Sequence, residues 1–179
     1  MNIPNFLTLF RIILTPVLVI LLIDGRLFEA LAVFTIAGVT DGLDGLIARW
    51  MNQKTRLGAI LDPIADKLLL TSVFVTMAVL GYLPTWLAVT VISRDVIIVF
   101  GVLILFLFQG STDISPSILS KTTTLVQLCT LFTVMVNKVM GLLDTVLVPL
   151  FVTAAVLTVV SGLHYMYLGI RLLTAVEET

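Results

Sequence analysis

Long apolar runs, each closed by a short polar break, set the rhythm of this chain. They cover residues 6–23, 28–49, 59–80, 84–108, 118–140 and 144–170. The breaks fall at Asp24-Gly25-Arg26, from Trp50 to Leu57, at Gly81-Tyr82-Leu83-Pro84, from Gln109 to Pro116, and from Gly141 to Asp144. Each run comes close to the roughly 20 predominantly apolar residues that a helix needs to cross hydrocarbon. A transmembrane barrel would show alternating segments of about ten residues instead. Lipid offers no partners for backbone N–H and C=O groups, so a helix, which satisfies its own, is the economical solution. The expected fold is an all-α integral membrane protein with six transmembrane helices, and residues 1–179 form a single membrane domain.

Charge placement orients that fold. An even number of spans puts both termini on one side, together with Arg11, Arg49, Lys54, Arg56, Lys67, Lys121 and Arg171, seven of the ten basic residues. Arg26 and Lys138 fall on the other side, and Arg94 lies within a span. Basic residues accumulate on the cytoplasmic side, so both termini are expected there. Composition agrees with a membrane protein: 59% of residues are hydrophobic and 12% charged, against about 25% charged in soluble domains. A net charge of −1 and the lack of a basic tract argue against a nucleic-acid partner. Cys129 is the single cysteine, so no internal disulfide forms, and it reads as a small buried hydrophobe. The first apolar run lacks a small-residue cleavage site and reads as a retained span. The compact chain without a transit-like start favours a bacterial inner membrane.

Against this background, "DGLDGLIAR" at 41–49 and "LDPIADKLLL" at 61–70 stand out. On a helix, Asp41 and Asp44 lie about 60° apart with a rise near 4.5 Å, and Asp62 and Asp66 about 40° apart with a rise of about 6 Å. The short connection from Trp50 to Leu57 returns the chain as an antiparallel hairpin, so both pairs converge near its cytoplasmic end. Four carboxylates so close do not all stay ionised without cations. Two divalent ions, Mg²⁺ or Mn²⁺, suit their hard oxygen donors, and a two-metal site suits displacement at phosphorus. Gly45 lies one turn beyond Asp41 and Ala48 one turn beyond Asp44, leaving room for a ligand against the helix. Arg49 adds a planar fork for phosphate, and Gly58 permits close approach on the returning helix. The bland alternative is a set of structural or interfacial charges. Ionisable groups at membrane depth are functional by default, however. A second class of function, a divalent-cation channel or transporter filtered by the acids, leaves Ala48, Arg49 and Gly58 unexplained.

The pattern Asp41-x2-Asp44-Gly45-x2-Ala48-Arg49-x8-Gly58-x3-Asp62-x3-Asp66 resembles the signature of the CDP-alcohol phosphotransferase (phosphatidyltransferase) family at every defined position, over 26 residues. The resemblance implies six transmembrane helices, a homodimer, and transfer of a phosphatidyl group from a CDP-linked donor such as CDP-diacylglycerol to an alcohol, with release of CMP. It implies that Asp41, Asp44, Asp62 and Asp66 hold two metals and that Asp66 also acts as catalytic base. Gly45, Ala48, Arg49 and Gly58 would line the donor pocket.

The acceptor is read from three further stretches. "NIPNFLTLFRI", through Pro4, Asn5, Thr8 and Arg11, resembles the branch that makes phosphatidylglycerol phosphate and cardiolipin, as does "ISRDV" around Arg94. The plain alternatives are an interfacial helix start with a snorkelling arginine, and a structural pair between Arg94 and a neighbouring acid. In "PSILSKTTTLVQL", Lys121, Thr124 and Gln127 match the phosphatidylglycerol phosphate synthase pattern, while Ser120 replaces a glycine and Thr123 a second lysine. One lysine fewer is consistent with a monoanionic phosphodiester, phosphatidylglycerol, rather than dianionic glycerol 3-phosphate. Cardiolipin synthase is therefore the preferred expectation, with phosphatidylglycerol phosphate synthase next. Asn5, Thr8, Arg11, Arg94, Lys121, Thr124 and Gln127 form the expected acceptor pocket. His164, Trp50 and Trp86 read as core or interfacial residues.

Overall fold

A computed structural model describes the backbone of residues 3–50, 56–109 and 117–177, and the side chains of residues 8–41, 61–103, 117–169 and 171. Within them lie six helices: α1 (Ile3–Ile23), α2 (Leu27–Trp50), α3 (Arg56–Val79), α4 (Thr85–Gln109), α5 (Ile118–Met140) and α6 (Asp144–Glu177). They follow the predicted runs to within a few residues, except that α6 continues past residue 170 to Glu177. Among the described residues, Thr85–Leu103, Ile118–Met140 and Asp144–Gly169 are long and apolar enough to cross a membrane, and Thr8–Ile23 is a shorter apolar stretch.

Three of the predicted breaks are built around glycine, Gly141 (φ 70°) among them. Gly25 (φ 72°) and Gly81 (φ 69°) take the left-handed conformation that only glycine adopts cheaply. After α1, the Arg26 N–H reaches the Leu21 carbonyl at 2.9 Å and the Gly25 N–H that of Leu22 at 3.2 Å. After α3, Tyr82 and Gly81 repeat the pattern on Met77 and Ala78 at 2.8 and 3.1 Å. Both ends are Schellman caps, which satisfy the last carbonyls of a helix where water is scarce.

The chain divides into two compact units. The first comprises residues 1–83 and 131–143, the second 84–130 and 144–179. In the first, α1 packs on both α2 and α3. The contact face of α1 is one stripe, Thr8, Arg11, Thr15, Leu18 and Leu22, all buried and spaced three and four apart as one helix face requires. On α2 the buried stripe Ala30, Phe34 and Ala37 leads to Asp41; on α3 Met77, Val73 and Leu69 lead back to Asp66 and Asp62. Each stripe is apolar at one end and polar at the other, so the register that packs the leucines also gathers the charges. Ile13, Ile20, Ile36 and Val39 lie exposed on other faces of α1 and α2.

The second unit repeats this plan. Its α4 packs on α6, through Leu87, Ala88, Val91 and Arg94 on one helix and Phe151, Ala154, Thr158 and Ser161 on the other. Thr123, Gln127 and Thr130 form the buried stripe on this part of α5. Gln127 Nε2 donates to Thr158 Oγ1 at 2.9 Å, and Thr123 Oγ1 to the Leu157 carbonyl at 3.3 Å. Such hydrogen bonds hold helices together where neighbouring lipid gives little hydrophobic drive.

Candidate active site

In the first unit the polar ends of the stripes meet around one guanidinium. Arg11 Nη2 lies 2.6 Å from Asp41 Oδ1 on α2, and Nη1 pairs with Asp66 Oδ1 on α3. One turn earlier on α1, Thr8 Oγ1 donates to Asp62 Oδ1. One turn later on α1, Thr15 Oγ1 donates to the Arg11 carbonyl at 3.0 Å. Arg11 is only 3% exposed, whereas the side chains of Asp41 and Asp66 are 45% and 40% exposed. The cation is thus sealed behind the acids, and the acids face outward.

Three of the four predicted aspartates are therefore brought to one end of α1, α2 and α3. Their hard oxygen donors suit a divalent cation, and the fold already sets a positive charge between two of them. Among the described residues, no three Asp, Glu, His or Cys side chains surround a common point as a finished metal cage. Asp44, Gly45, Ala48 and Arg49 continue α2, and Gly58 lies in α3. Their side chains fall outside the described residues, as does that of Asn5.

The second unit holds a buried arginine of its own. Arg94 is 4% exposed and pairs through Nη1 with Asp95 Oδ1 at 2.7 Å. Its Nη2 donates to Ser120 Oγ of α5 at 2.7 Å and to Ser161 Oγ of α6 at 2.9 Å. Gly162 lies beside the arginine stem, where a Cβ would stand 3.4 Å from Arg94 Cγ, in ordinary contact. The neighbouring α5 start is capped by Ser117, whose Oγ accepts the Ser120 N–H at 3.2 Å. The Ser117 N–H in turn donates to the Tyr165 hydroxyl at 3.1 Å. Among the described residues, the buried Nε of Arg94 meets no hydrogen-bond acceptor.

The expected acceptor residues thus separate. Thr8 and Arg11 face the aspartates, and Arg94 anchors a cluster of hydroxyls in the second unit. Gln127 is 1% exposed and engaged with Thr158; Thr124 donates to the Ser120 carbonyl of its own helix at 3.1 Å. Lys121 is exposed. Thr123 is fully buried against α6, so its standing in place of a lysine is a packing feature. Sequence reasoning missed Ser117, Ser120, Ser161 and Tyr165 as partners around Arg94. Their signal was the row Thr158, Ser161 and Tyr165 at helical spacing within an otherwise apolar run. His164 is exposed and meets Tyr165 edge-on, with ring centroids 6.4 Å apart. Trp86 is half-exposed, as an interfacial anchor would be.

Comparison with known proteins agrees with the aspartate pattern. The family model for CDP-alcohol phosphatidyltransferase matches residues 1–168. The human protein named cardiolipin synthase (CMP-forming) is 32% identical over 194 residues, which cover 99% of this chain and 64% of that protein. The chain therefore spans somewhat less than two thirds of the human relative's length. A probable phosphatidylglycerophosphate synthase of Mycobacterium tuberculosis is 32% identical over 185 residues, covering 99% of this chain and 86% of the relative. A CDP-diacylglycerol–glycerol-3-phosphate 3-phosphatidyltransferase of Shigella flexneri is 36% identical over 170 residues, covering 92% and 93%. With the match running through α1 to α6 and the aspartates drawn to one helix end, this chain belongs to the CDP-alcohol phosphatidyltransferase family.

Proposed function

We propose that the protein is a divalent-metal-dependent phosphatidyltransferase of anionic phospholipid synthesis. It moves the phosphatidyl group of CDP-diacylglycerol to a glycerol-type hydroxyl and releases CMP. The observation that carries this reading is the convergence of Asp41, Asp62 and Asp66 at one outward-facing end of α1–α3. Asp41, Asp44, Asp62 and Asp66 would hold two Mg²⁺ or Mn²⁺ ions. Bound there, the ions would polarise the pyrophosphate and stabilise the departing CMP.

The remaining work falls to the chain itself. Arg49 binds the donor phosphates through its fork, and Gly45, Ala48 and Gly58 let the nucleotide approach the helices. The acceptor oxygen attacks the phosphorus that carries diacylglycerol; the bond from that phosphorus to the CMP oxygen breaks, and Asp66 accepts the hydroxyl proton. A carboxylate beside a divalent cation is a weak base, so alignment of the hydroxyl contributes alongside proton removal. Six spans with both termini cytoplasmic would put this chemistry where a water-soluble nucleotide meets lipid tails. A homodimer in a bacterial inner membrane completes the proposal.

Phosphatidylglycerol is the preferred acceptor, which makes cardiolipin the product. The support is the charge balance around Arg94: Asp95 neutralises the guanidinium and the other partners are neutral hydroxyls. Such a cluster suits a monoanionic phosphodiester better than a dianionic phosphate. Glycerol 3-phosphate is the second reading, favoured by the near full-length match to the Shigella flexneri enzyme.

The test is an acceptor panel with labelled CDP-diacylglycerol and Mg²⁺, offering phosphatidylglycerol, glycerol 3-phosphate, inositol phosphate and serine. CMP release with cardiolipin formation is expected. Phosphatidylglycerol phosphate as sole product would replace the preferred acceptor by the second. Absence of CMP release from folded protein with every acceptor would overturn the enzyme reading and leave the cation channel or transporter.

A further inference from the structure

Arg11 invites a role that its place in the N-terminal stretch did not suggest. Its side chain is buried on the α1 stripe, and Asp41 and Asp66, which pair with it, are each more exposed than it is. An incoming headgroup would meet Asp41 and Asp66 before it met Arg11. The planar fork reaches one carboxylate with each terminal nitrogen, and those carboxylates belong to different helices. A lysine, with a single charged nitrogen, does not reproduce that bridge. Asp41, Asp62 and Asp66 with Arg11 carry a net charge of −2 when all are ionised, three negative against one positive. The group is therefore partly neutralised without a metal, yet still attracts a dication.

We propose that Arg11 is the resident counter-ion of the acid cluster and the positioning residue for Asp41 and Asp66, with Thr8 positioning Asp62. Arg11 acts through the carboxylates and makes no contact with the acceptor. In the metal-free protein it offsets repulsion among the acids and ties α1 to α2 and α3 at one level. When a divalent cation binds, the carboxylates already stand near one another, so less ordering is required of them. The inference rests on the proposed metal site and deepens it.

The test uses the full-length protein in nanodiscs, with Mn²⁺ binding followed by electron paramagnetic resonance and unfolding midpoints measured with and without Mn²⁺. Removing the resident charge makes the fold lean more heavily on the metal. Arg11→Met should therefore lower the metal-free midpoint, and saturating Mn²⁺ should raise it by about twice the wild-type increment or more. Turnover should fall by about 10- to 100-fold, as when groups supporting metal ligands are lost, with the KM for the acceptor nearly unchanged. Arg11→Lys should restore part of the metal-free midpoint but little of the turnover. If Arg11→Met does not fold without metal, Arg11→Lys carries the comparison, and its Mn²⁺ increment should exceed that of wild type. Equal Mn²⁺ increments in wild type and variant would overturn the proposal. So would a large rise in acceptor KM with turnover kept, because that is the behaviour of an acceptor contact. A wild-type protein that binds no Mn²⁺ would instead overturn the metal site itself, so the two failures are distinguishable.

Discussion

Two buried arginines, Arg11 and Arg94, occupy equivalent polar ends of apolar helix stripes and are equipped in opposite ways. Arg11, 3% exposed, is shared between carboxylates from two other helices that both look outward. Arg94, 4% exposed, takes its carboxylate from the next residue of its own helix and spends its other terminal nitrogen on two serine hydroxyls. A buried guanidinium is costly unless paired and hydrogen-bonded, and both solutions meet that demand. The first leaves surplus negative charge, which calls for cations. The second leaves a neutral pair beside serine hydroxyls, which suits a singly charged anion. The same residue type therefore serves two chemistries, and the partners decide which.

The contrast can be broken most severely at the acids. Asp66→Asn keeps the shape of the side chain but removes its charge and its capacity to accept a proton. CMP release should drop by about a thousandfold or more, while the helical circular dichroism spectrum stays that of wild type. Retention of a tenth of the activity would remove Asp66 from the chemistry.

At the second arginine the expected loss is divided between stability and acceptor binding. Arg94→Met takes the guanidinium from the buried Asp95 carboxylate, and breaking a buried pair from one side costs about 3–5 kcal/mol. The double variant Arg94→Met, Asp95→Leu should recover much of that stability without recovering the acceptor KM. Thermal unfolding and acceptor titration of both variants separate the two effects. Recovery of KM together with stability would make the pair purely structural.

Smaller changes sharpen the comparison. Ser161→Ala removes one hydroxyl from Arg94 Nη2 but leaves Ser120 in place, so about 1 kcal/mol of stability and a several-fold rise in acceptor KM are expected. The Mn²⁺ response should stay at the wild-type level, since that response belongs to the other arginine. Thr123→Lys tests the packing reading of that position. It should lower the unfolding midpoint by disturbing the contact with α6, without moving the ratio of acceptors used; a shift toward glycerol 3-phosphate would return Thr123 to the acceptor pocket. Gly162→Ala should do least, because the added Cβ would stand in ordinary contact with the arginine stem. Measured KM and midpoint close to wild type would agree with that geometry.

The six helices and the breaks after α1, α3 and α5 were legible along the chain, because a hydropathy run and a helix-ending glycine are local properties. The aspartates were legible for a related reason. Their spacing within α2 and α3 places each pair on one face, and a short connection leaves few ways to fold the hairpin. Partners distant in sequence were not legible. Thr8 meets Asp62 across 54 residues, Arg11 meets Asp66 across 55, and Arg94 meets Ser161 across 67. Helical periodicity reports which face of a helix a residue occupies but not which neighbour that face will meet. Hence the aspartate partners of Thr8 and Arg11 could not be read from the chain, and the hydroxyls around Arg94 went unnoticed among ordinary interior serines. Thr123 read as a missing charge for the same reason, although its hydroxyl faces a carbonyl of α6. Composition and local spacing thus decided the class of fold and set the acids at one level of their helices. Packing alone decided which cation the acids surround and which hydroxyls stand beside the second arginine, because those depend on how stripes from separate helices come into register.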